Sequence, residues 1–382
     1  MDKKEIGYKL YAGIAALCQI FPKKSDKAVF YLIHNDHFRG NLRMIYEELK
    51  KRNPTGTYVV VNKADLFQGS FMNKIKGAFY FYFVLNYHFA TASQIYLNDN
   101  FLPLAYMPVK KGTKILQFWH GIGAWKRFGL STENREVTRR AVEKGNQKVT
   151  HLFVSGRNVV PFYKEAFGIG EEKIFPTGLP VLDFYFSEEK RACARRKFYE
   201  SYPQLQGKKL LLYTPTFRNS TEENENLQRV FDAKRLQKLL GEEWCILTRL
   251  HPSLRGTIAV EGDFAGVVDV SAYGDIKGLY EVANVLVNDY SSTMVEFALL
   301  RKPILLFAYD LEDYDRGFYR DYLENVPGNV VRTLDELAEE VKKEHLEAEK
   351  LERFLTLHYD YYDDKNTERV LDVIDGRERR EN

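Results

Sequence analysis

Residues 285–307 have the sequence VLVNDYSSTMVEFALLRKPILLF, and this stretch decides the fold class. The apolar run 285–288 is typical of a buried strand, and polar residues follow it at once. Residues 292–300 then show the helical spacing of apolar side chains, and Pro303–Phe307 forms a second apolar run. A strand, a helix and a strand in this order predict a parallel βαβ unit with buried strands.

The same alternation extends along the chain in both directions. Short apolar runs predict buried strands in two series. The first series is Ala28–Ile33, Tyr58–Val61, Gln94–Leu97, Lys114–Trp119 and His151–Ser155, and the second is Leu210–Thr214, Trp244–Leu250, Val267–Asp269, Val285–Asn288 and Pro303–Phe307. Amphipathic stretches predict the helices Leu42–Lys51, Leu227–Leu240, Ile276–Val282 and Ser292–Leu300. Two such series predict two doubly wound α/β domains.

The predicted domain boundary follows Gly178-Leu179-Pro180. A charged helix, Glu188–Tyr199, and a turn, Tyr202–Gly207, then suit a connector. A highly charged helical tail covers Leu334–Val373. We therefore predict an N-terminal Rossmann-like domain over residues 1–187, a connector over 188–207 and a C-terminal Rossmann-like domain with charged helices over 208–382.

Charge divides the chain into halves of opposite sign. Residues 1–200 contain 32 Lys and Arg against 18 Asp and Glu, a net charge of +14, whereas residues 201–382 contain 24 against 35, a net charge of −11. The basic half predicts contact with an anionic surface or polymer. The acidic half needs only local cations to hold a small ligand.

The composition is that of a globular protein. Hydrophobic residues make up 45% and charged residues 29%, which excludes a disordered chain or a multi-span membrane protein. The 25 tyrosines and 26 phenylalanines exceed what core packing needs, which indicates interfaces, ligand pockets or membrane surfaces. Three cysteines far apart, Cys18, Cys193 and Cys245, predict a reducing, cytosolic setting.

Two uncharged segments bear on membrane contact. Leu10–Phe21 is too short to span a bilayer and predicts an N-terminal helix rather than a signal peptide. Residues 77–98 are long enough, but they contain amide, imidazole and hydroxyl side chains that disfavour burial in lipid. The lysines and aromatic rings of residues 72–83 suit an interfacial helix. A helix buried under a sheet fits the same residues equally well.

The first polar cluster is QFWHGIGAWK, residues 117–126, at the predicted end of a strand. Ligands of parallel sheets bind outside the carboxyl ends of strands, and His120 stands at such an end. An imidazole titrates near neutral pH, so we predict that His120 is a general base; the alternative is a structural histidine in a loop. Gly121 and Gly123 allow a sharp turn. Lys126 occupies the third position of G-x-G-x-x-G, which disfavours dinucleotide binding.

Two further clusters follow strands of the second series. Residues 213–219, YTPTFRN, place hydroxyl groups beside an arginine fork that suits phosphate oxygens, with a capped turn as the alternative. Residues 249–252, RLHP, place a guanidinium and an imidazole directly after a strand, with packing as the alternative. The predicted phosphate or leaving-group contacts are Thr216, Arg218 and Asn219 from the first of these clusters, and Arg249 and His251 from the second.

The fourth cluster is NDYSSTMVE, residues 288–296, at the strand-to-helix junction of the βαβ unit. Hydroxyl side chains cap a helix there, and exposed N–H groups with the helix dipole form an anion site. Helix capping explains one hydroxyl residue, but not three in a row followed by a glutamate one turn into the helix. A glutamate at that place suits a hydroxyl-rich group such as ribose. The predicted ligand contacts are Ser291, Ser292, Thr293 and Glu296.

No metal site is predicted. The D-x-D pattern at Asp313–Asp315 resembles the metal-binding motif of sugar transferases, but it lies in an acidic run with no second cluster of ligands. A solvated loop is the favoured interpretation of this segment.

Taken together, the four clusters and the segments 301–310, RKPILLFAYD, and 316–319, RGFY, resemble the CDP-glycerol glycerophosphotransferase family of teichoic acid synthesis. The similarity extends roughly from residue 94 to residue 333, with every motif in order. Many members continue Trp-His-Gly with Thr-Pro-Leu-Lys, whereas this chain has Ile-Gly-Ala-Trp-Lys at 122–126. The choice of acceptor is therefore not carried over.

The resemblance implies a GT-B-like α/β fold, with two Rossmann-like doubly wound domains facing across a cleft and the donor in the C-terminal one. It implies transfer of glycerol phosphate or ribitol phosphate from CDP-glycerol or CDP-ribitol to a hydroxyl of an undecaprenyl-diphosphate-linked acceptor, with release of CMP. His120 matches the family's proposed base, and His251 lies near the donor diphosphate. The stretch Asp289–Ser292, with Asp289 at its start, is expected to hold donor phosphates.

The N-terminal domain is expected on the acceptor side, with Gly121, Gly123 and Lys126 near the acceptor and its basic surface on anionic lipid. This implies a cytoplasmic protein, peripheral on the inner face of the cell membrane. No cofactor is predicted, and a need for Mg²⁺ is left open. No nucleic acid partner is predicted, and the oligomeric state is left open. Two other functions fit the fold: a GT-B glycosyltransferase that uses a nucleotide sugar, and a non-catalytic peripheral membrane protein.

Overall fold

The computed structural model describes residues 3–33, 37–218, 220–250, 266–314 and 317–377. Within these residues the chain forms two parallel six-stranded sheets with helices around them. The chain divides into two compact bodies. The first body comprises the residues up to Asp183 together with those from His358 onward, and the second body runs from Phe184 to Leu357.

The sheet of the first body has the strand order β2-β1-β3-β4-β5-β6. Every residue of β1 is buried, as expected for a parallel strand that is covered on both faces. The strands are β1 (Lys27–Leu32), β2 (Thr57–Asn62), β3 (Gln94–Leu97), β4 (Lys114–Gln117), β5 (His151–Phe153) and β6 (Ile174–Phe175). The helices up to Asp183 are α1 (Lys3–Leu17), α2 (Gly40–Arg52), α3 (Lys63–Leu66), α4 (Phe71–Phe79), α5 (Leu85–Thr91), α6 (Glu136–Asn146) and α7 (Val160–Phe167).

The sheet of the second body has the strand order β12-β11-β10-β7-β8-β9. Its strands are β7 (Lys209–Thr214), β8 (Trp244–Thr248), β9 (Val267–Asp269), β10 (Val285–Asn288), β11 (Ile304–Phe307) and β12 (Asn329–Val331). Its helices are α8 (Glu188–Ser201), α9 (Thr221–Val230), α10 (Ala233–Leu240), α11 (Ile276–Val282), α12 (Thr293–Phe297), α13 (Tyr322–Asn325), α14 (Leu334–Lys343) and α15 (Ala348–His358), and the last helix, α16 (Asn366–Asp375), belongs to the first body.

The strand order of each sheet reverses once. The reversal lies between β1 and β3 in the first body and between β7 and β10 in the second. In doubly wound sheets the loops on either side of such a reversal separate, and ligands bind there, outside the carboxyl ends of the strands. The topology therefore predicts one candidate ligand position in each body.

The predicted strands are present, and the structure adds two short ones. β6 and β12, of two and three residues, pair at an edge of each sheet and were not predicted; the two residues of β6 are too few to show periodicity. The predicted helix Leu227–Leu240 is wrong, because α9 ends at Val230 and α10 begins at Ala233. Asp232 caps α10 by accepting a hydrogen bond from the Arg235 N–H at 2.9 Å.

The tail differs from the prediction of one C-terminal domain over 208–382. The Asp183 carboxylate accepts hydrogen bonds from the N–H groups of Asn366 and Thr367, at 2.8 and 3.1 Å, at the start of α16. A buried carboxylate at a helix N-terminus is stabilising, because it faces the positive end of the helix dipole. The chain therefore returns to the first body after the second sheet is complete.

The predicted connector 188–207 also differs, because α8 is a structural helix of the second body. Arg191 and Arg195 pair with Glu281 of α11 at 2.9 and 2.5 Å, and the Glu281 side chain is 1% exposed. Ala194 and Phe198 are buried on the same helix. Charge on α8 thus reflects a buried pairing with α11 rather than a solvated linker.

The sequence left two interpretations open for the region around residues 72–98, an interfacial helix and a buried helix, and each describes one part of it. α5 is largely buried in the first body, whereas α4 exposes large apolar side chains, among them Phe71 and Phe79. Gly77 of α4 packs so closely on the Leu66 carbonyl that an added Cβ would lie 1.5 Å from its oxygen. Over the described ranges, no helix combines the length and the apolar character needed to cross a bilayer.

Candidate functional site

The reversal point of the second body is built around a buried carboxylate. Asp289 follows β10 and is 1% exposed. Its two oxygens accept hydrogen bonds from the Thr216 N–H, at 2.9 and 3.0 Å, and one of them accepts from the Ser291 N–H at 3.3 Å. Asp289 thereby joins the loop after β7 to the loop after β10. Contact of Asp289 with a donor phosphate stays a prediction, and its observed role is to hold the two loops together.

Arg218 completes a buried charge network with two aspartates. Its guanidinium donates to Asp289 at 2.9 Å, to both oxygens of Asp310 at 2.7 and 3.0 Å, and to the Thr216 carbonyl at 2.7 Å. These four bonds use four of its five N–H groups. Burial alone would lower the pKa of Arg218, but the two carboxylates raise it above its ordinary value. Phosphate binding by Arg218 stays a prediction, beside an observed role in positioning the loops.

Two tyrosines enclose this network. The Tyr290 hydroxyl donates to Asp310 at 2.8 Å, and the Tyr290 ring lies 5.0 Å from the Arg218 guanidinium. Burial, followed by the nearby Asp310 charge, raises the pKa of Tyr290. The Tyr322 hydroxyl donates to the Asp289 carbonyl at 2.8 Å. Asp310 belongs to a segment that carries the family resemblance, but the sequence analysis gave it no role. Its partner Arg218 lies 92 positions away along the chain, and no local pattern predicts such a pair.

Hydroxyl groups line the start of α12. The Thr293 hydroxyl lies 2.9 Å from the Thr214 hydroxyl and 3.2 Å from the Ser291 hydroxyl, and it accepts from the Asn288 amide at 2.6 Å. The Thr293 N–H donates to the Ser291 hydroxyl at 3.4 Å, whereas the Ser292 side chain is exposed and makes no capping bond. The predicted hydroxyl residues are therefore brought together at the reversal point, where they can accept or donate hydrogen bonds to a polar ligand.

Glu296 lies one turn into α12, as expected. The Tyr185 hydroxyl donates to it at 3.0 Å. Burial raises the pKa of Glu296, while Lys277 and the Tyr185 hydrogen bond act in the opposite direction. Its contact with a ribose stays a prediction.

Arg249 follows β8, beside β7, and its guanidinium donates to the carbonyls of Val270 and Tyr273 at 3.4 and 2.7 Å. It thereby anchors the loop after β9. His251 and Asn219 lie outside the described residues, so their predicted roles stay predictions. Among the residues that the structure describes, no three His, Cys, Asp or Glu side chains are grouped so as to hold a metal ion.

In the first body, His120 follows β4 and its side chain is 29% exposed. Its ring packs on the Trp119 indole, with centroids 4.1 Å apart, and its Nδ1 lies 3.6 Å from Asp99 Oδ2. Sequence reasoning missed Asp99. The signal was a polar run directly after the predicted strand Gln94–Leu97, but only the strand order shows that this strand lies beside β4.

The backbone after His120 is held by neutral hydrogen bonds. The Tyr163 hydroxyl donates to the carbonyls of Gly121 and Gly123, at 3.1 and 3.0 Å. Gly123 has a φ of 71°, a left-handed conformation in which glycine is favoured. The Ala124 N–H donates to His358 Nδ1 at 3.5 Å. Lys126, half-buried, ends this loop, so the predicted base and the predicted acceptor-side residues are contiguous.

Comparison with known proteins identifies relatives over nearly the whole chain. The chain is 33% identical over 361 residues to the teichoic acid poly(ribitol-phosphate) polymerase of Bacillus spizizenii, a match that covers 93% of this chain and 57% of that protein. It is 30% identical over 368 residues to the teichoic acid ribitol-phosphate primase of the same organism, with 94% and 93% covered. The chain thus spans little more than half of the polymerase and nearly all of the primase.

The solved structure of the wall teichoic acid polymerase TagF shares the fold, with a TM-score of 0.76, 24% identity, and 98% of this chain and 95% of that chain covered. The fold is accordingly GT-B-like, with two Rossmann-like sheets. The family model for CDP-glycerol:poly(glycerophosphate) glycerophosphotransferase matches residues 14–376. This match includes both candidate loops, and the chain therefore belongs to the CDP-glycerol:poly(glycerophosphate) glycerophosphotransferase family.

Proposed function

We propose that the chain transfers ribitol phosphate or glycerol phosphate from its CDP ester to a hydroxyl of an undecaprenyl-diphosphate-linked teichoic acid precursor or related cell-surface polymer, and releases CMP. The family match over residues 14–376 is the observation that carries this proposal. We expect CDP-ribitol to be the faster donor, because both relatives described above carry ribitol phosphate in their names.

In this reaction the acceptor oxygen attacks the β-phosphorus of the CDP-polyol. A new P–O bond forms to the acceptor, the P–O bond to CMP breaks, and the hydroxyl proton passes to the His120 imidazole. Such a transfer depends mainly on positioning and on stabilisation of phosphoryl charge. His120 suits the role of proton acceptor because its side chain is partly exposed and follows the end of a strand.

The second body is proposed to hold the donor. Its reversal point combines the hydroxyl groups of Thr214, Ser291 and Thr293 with two loops that Asp289 and Arg218 hold in place. Each well-placed donor to a phosphoryl oxygen is typically worth about 3 to 4 kcal/mol in a dry site. His251 and Asn219 are proposed to add to this set.

CMP release tests the function. The protein is incubated with an acceptor analogue and, in separate reactions, with CDP-ribitol, CDP-glycerol and a panel of nucleotide sugars; parallel runs with EDTA and with added Mg²⁺ test the metal requirement. We expect CMP only from a CDP-polyol, and a loss of at least ~100-fold in kcat for His120→Ala with unchanged Tm. His345→Ala, at a surface histidine that is 65% exposed, is the control and should retain full activity. Turnover of a nucleotide sugar alone would contradict the proposal.

The first body is proposed to bind the cytoplasmic face of an anionic membrane. Helix α1 and the 3₁₀ turn that follows it expose an apolar stripe at helical spacing, and α4 exposes another. The apolar stripes are Ile6, Leu10, Leu17 and Ile20 on the first, and Phe71, Met72, Ile75 and Phe79 on the second. α1 contacts the π-helical segment Tyr80–Val84 that continues α4, because the Tyr11 ring lies 4.9 Å from that of Phe81. Exposed apolar stripes in a basic half of the chain suit an interfacial location.

Vesicle sedimentation tests this surface. Lys74→Glu with Lys76→Glu should weaken binding to anionic vesicles, because each cation near the surface contributes about 1 kcal/mol. Lys342→Glu with Lys343→Glu, on α14 of the second body, makes the same change in net charge and should leave binding unaffected. Binding that is insensitive to salt and to the first pair of substitutions would exclude an electrostatic contribution from α4.

A further inference from the structure

We propose that Asp99 is a positioning residue that orients the imidazole of His120 and leaves Nε2 as the nitrogen that accepts the proton. The inference rests on the proposed function only in taking His120 as the base. The geometry around Asp99 supports it independently of the substrate.

The first step is the place of Asp99 in the sheet. Strand β3 ends at Leu97, which is paired with Gln117 of β4, so the residues after the two strands emerge side by side. β3 also borders the reversal point, next to β1. Asp99 is thus the acidic residue that the topology brings to His120 at the expected ligand position of this sheet.

The segment Asn98–Asp99 is held from both neighbouring strands. The Gln117 amide, at the end of β4, donates to the Asp99 carbonyl at 3.1 Å. On the other side, the Ile33 N–H, just after β1, donates to the Asn98 side chain at 2.8 Å. These bonds restrict where the Asp99 side chain can reach.

The two carboxylate oxygens of Asp99 have different neighbours. Oδ1 accepts a hydrogen bond from the Asn100 N–H at 2.6 Å, and Oδ2 lies 3.6 Å from His120 Nδ1. One oxygen is therefore held by the main chain, and the other is presented to the imidazole. Catalytic hydrogen bonds are often long without substrate and shorten in the reacting complex.

The imidazole plane is restricted from the other direction. The Trp119 indole, 4.1 Å from the His120 ring, is 8% exposed. It stacks on Phe128 at 5.4 Å and meets the Phe167 ring edge-on at 5.3 Å. Because the indole is packed on two sides, it forms a fixed surface against which the imidazole lies.

These contacts have a chemical consequence. A neutral imidazole carries one proton, and a carboxylate beside Nδ1 favours the tautomer in which Nδ1 holds it. Nε2 then keeps its lone pair for the acceptor proton, and the carboxylate stabilises the imidazolium that forms. Asp99 is 24% exposed and the pair is not in hydrogen-bond contact, so we expect a moderate effect, about 10- to 100-fold in kcat.

Two measurements test the inference. The first is the kinetics of Asp99→Asn, which keeps the shape of the side chain and removes its charge; we expect the stated loss in kcat with KM for the CDP-polyol unchanged within about 2-fold. The control, Asp375→Asn, removes a carboxylate of similar exposure, 33%, at the end of α16. It should leave kcat unchanged.

The second measurement needs no turnover. ¹⁵N chemical shifts of the ring nitrogens, in histidine-labelled protein above the titration of the imidazole, should show His120 protonated at Nδ1 in the wild type and less so in Asp99→Asn, with the signals assigned by their loss in His120→Ala. Protonation at Nε2 in the wild type would overturn the inference, even if the variant did not fold.

The outcomes separate the two proposals. An active wild type whose kcat is unaffected by Asp99→Asn would overturn the role of Asp99 and leave the proposed function intact. A wild type that releases no CMP from either CDP-polyol would contradict the function, and the ¹⁵N shifts would still decide the role of Asp99.

Discussion

The loop after β10 borders the reversal point of its sheet, the loop after β4 lies one strand away from the reversal point of the other, and the two loops are stabilised by different forces. The first is held by ionised groups: Arg218 is 7% exposed and bridges Asp289 and Asp310. The second is held by neutral hydrogen bonds from Tyr163 and by ring packing, with His120 left partly exposed.

This difference follows from what each loop is proposed to do. A loop that holds a diphosphate must keep its donors in one geometry, which buried ion pairs impose at a high cost in desolvation. A loop that carries a base must leave the imidazole accessible to the acceptor proton, and here hydrogen bonds and ring packing hold the loop with one carboxylate, that of Asp99, beside the ring.

The largest expected effect is on the charged loop. Arg218→Met should lower the free energy of unfolding of the second body by about 3 to 5 kcal/mol, because it leaves two carboxylates without their buried counter-charge. Urea unfolding measures the change. Arg235→Met is the control, because Arg235 pairs with Asp335 on the surface, with side chains 54% and 61% exposed. That pair should contribute less than about 1 kcal/mol. An equal loss in free energy of unfolding for Arg218→Met and Arg235→Met would contradict the view that buried ion pairs stabilise the charged loop.

A smaller effect is expected on the neutral loop. Tyr163→Phe removes the donor to two loop carbonyls and should cost about 1 kcal/mol, with kcat reduced about 5-fold if the loop shifts in the reacting complex. Tyr58→Phe makes a matched control, because the Tyr58 hydroxyl also donates to two carbonyls, of Leu49 and Asn53, at 2.9 Å. It should cost similar stability but leave kcat unchanged. A similar fall in kcat for both variants would show that the Tyr163 bonds act only on stability.

The smallest effect is expected at Glu296, a half-buried acid in the helix that follows the charged loop. Its pKa is raised by burial, so folding disfavours its ionised form and stability falls as pH rises above the ordinary carboxyl value. Glu296→Gln keeps an acceptor for Tyr185 and cannot ionise. Its Tm should exceed that of the wild type at pH 7, and the difference should shrink as the pH approaches the range where a free carboxyl is protonated. A lower Tm at neutral pH would show that the ionised form is stabilised instead.

The sequence predicted the positions of most strands because parallel strands are continuous apolar runs. It did not predict β6, which has only two residues, or β12, although the equally short β9 was predicted. It also did not predict the break between α9 and α10, where Asp232 caps a second helix inside a continuous amphipathic stretch. The return of α16 to the first body depends on Asp183, nearly two hundred residues earlier, and no local signal reports such a contact.

The candidate site shows the same limit. Thr216, Ser291 and Thr293 were found because each lies close after a strand, and the structure brings them together. Asp99 and Asp310 were missed as site residues, although each also follows a strand. Asp99 lies beside His120 in the first body, and Asp310 pairs with Arg218 in the second. Each contact depends on the order of the strands in the sheet, and local periodicity does not predict that order.

The return of α16 also constrains the order in which the chain can fold during synthesis. The residues of the second body end at Leu357, so its packing does not depend on α16. The first body, although its strands are made earlier, is complete only when Asn366 and Thr367 donate to Asp183. A released chain truncated between residues 358 and 365 would therefore keep every residue of the second body and lose the Asn366 and Thr367 donors to Asp183 in the first, although the strands of the first body are synthesised earlier.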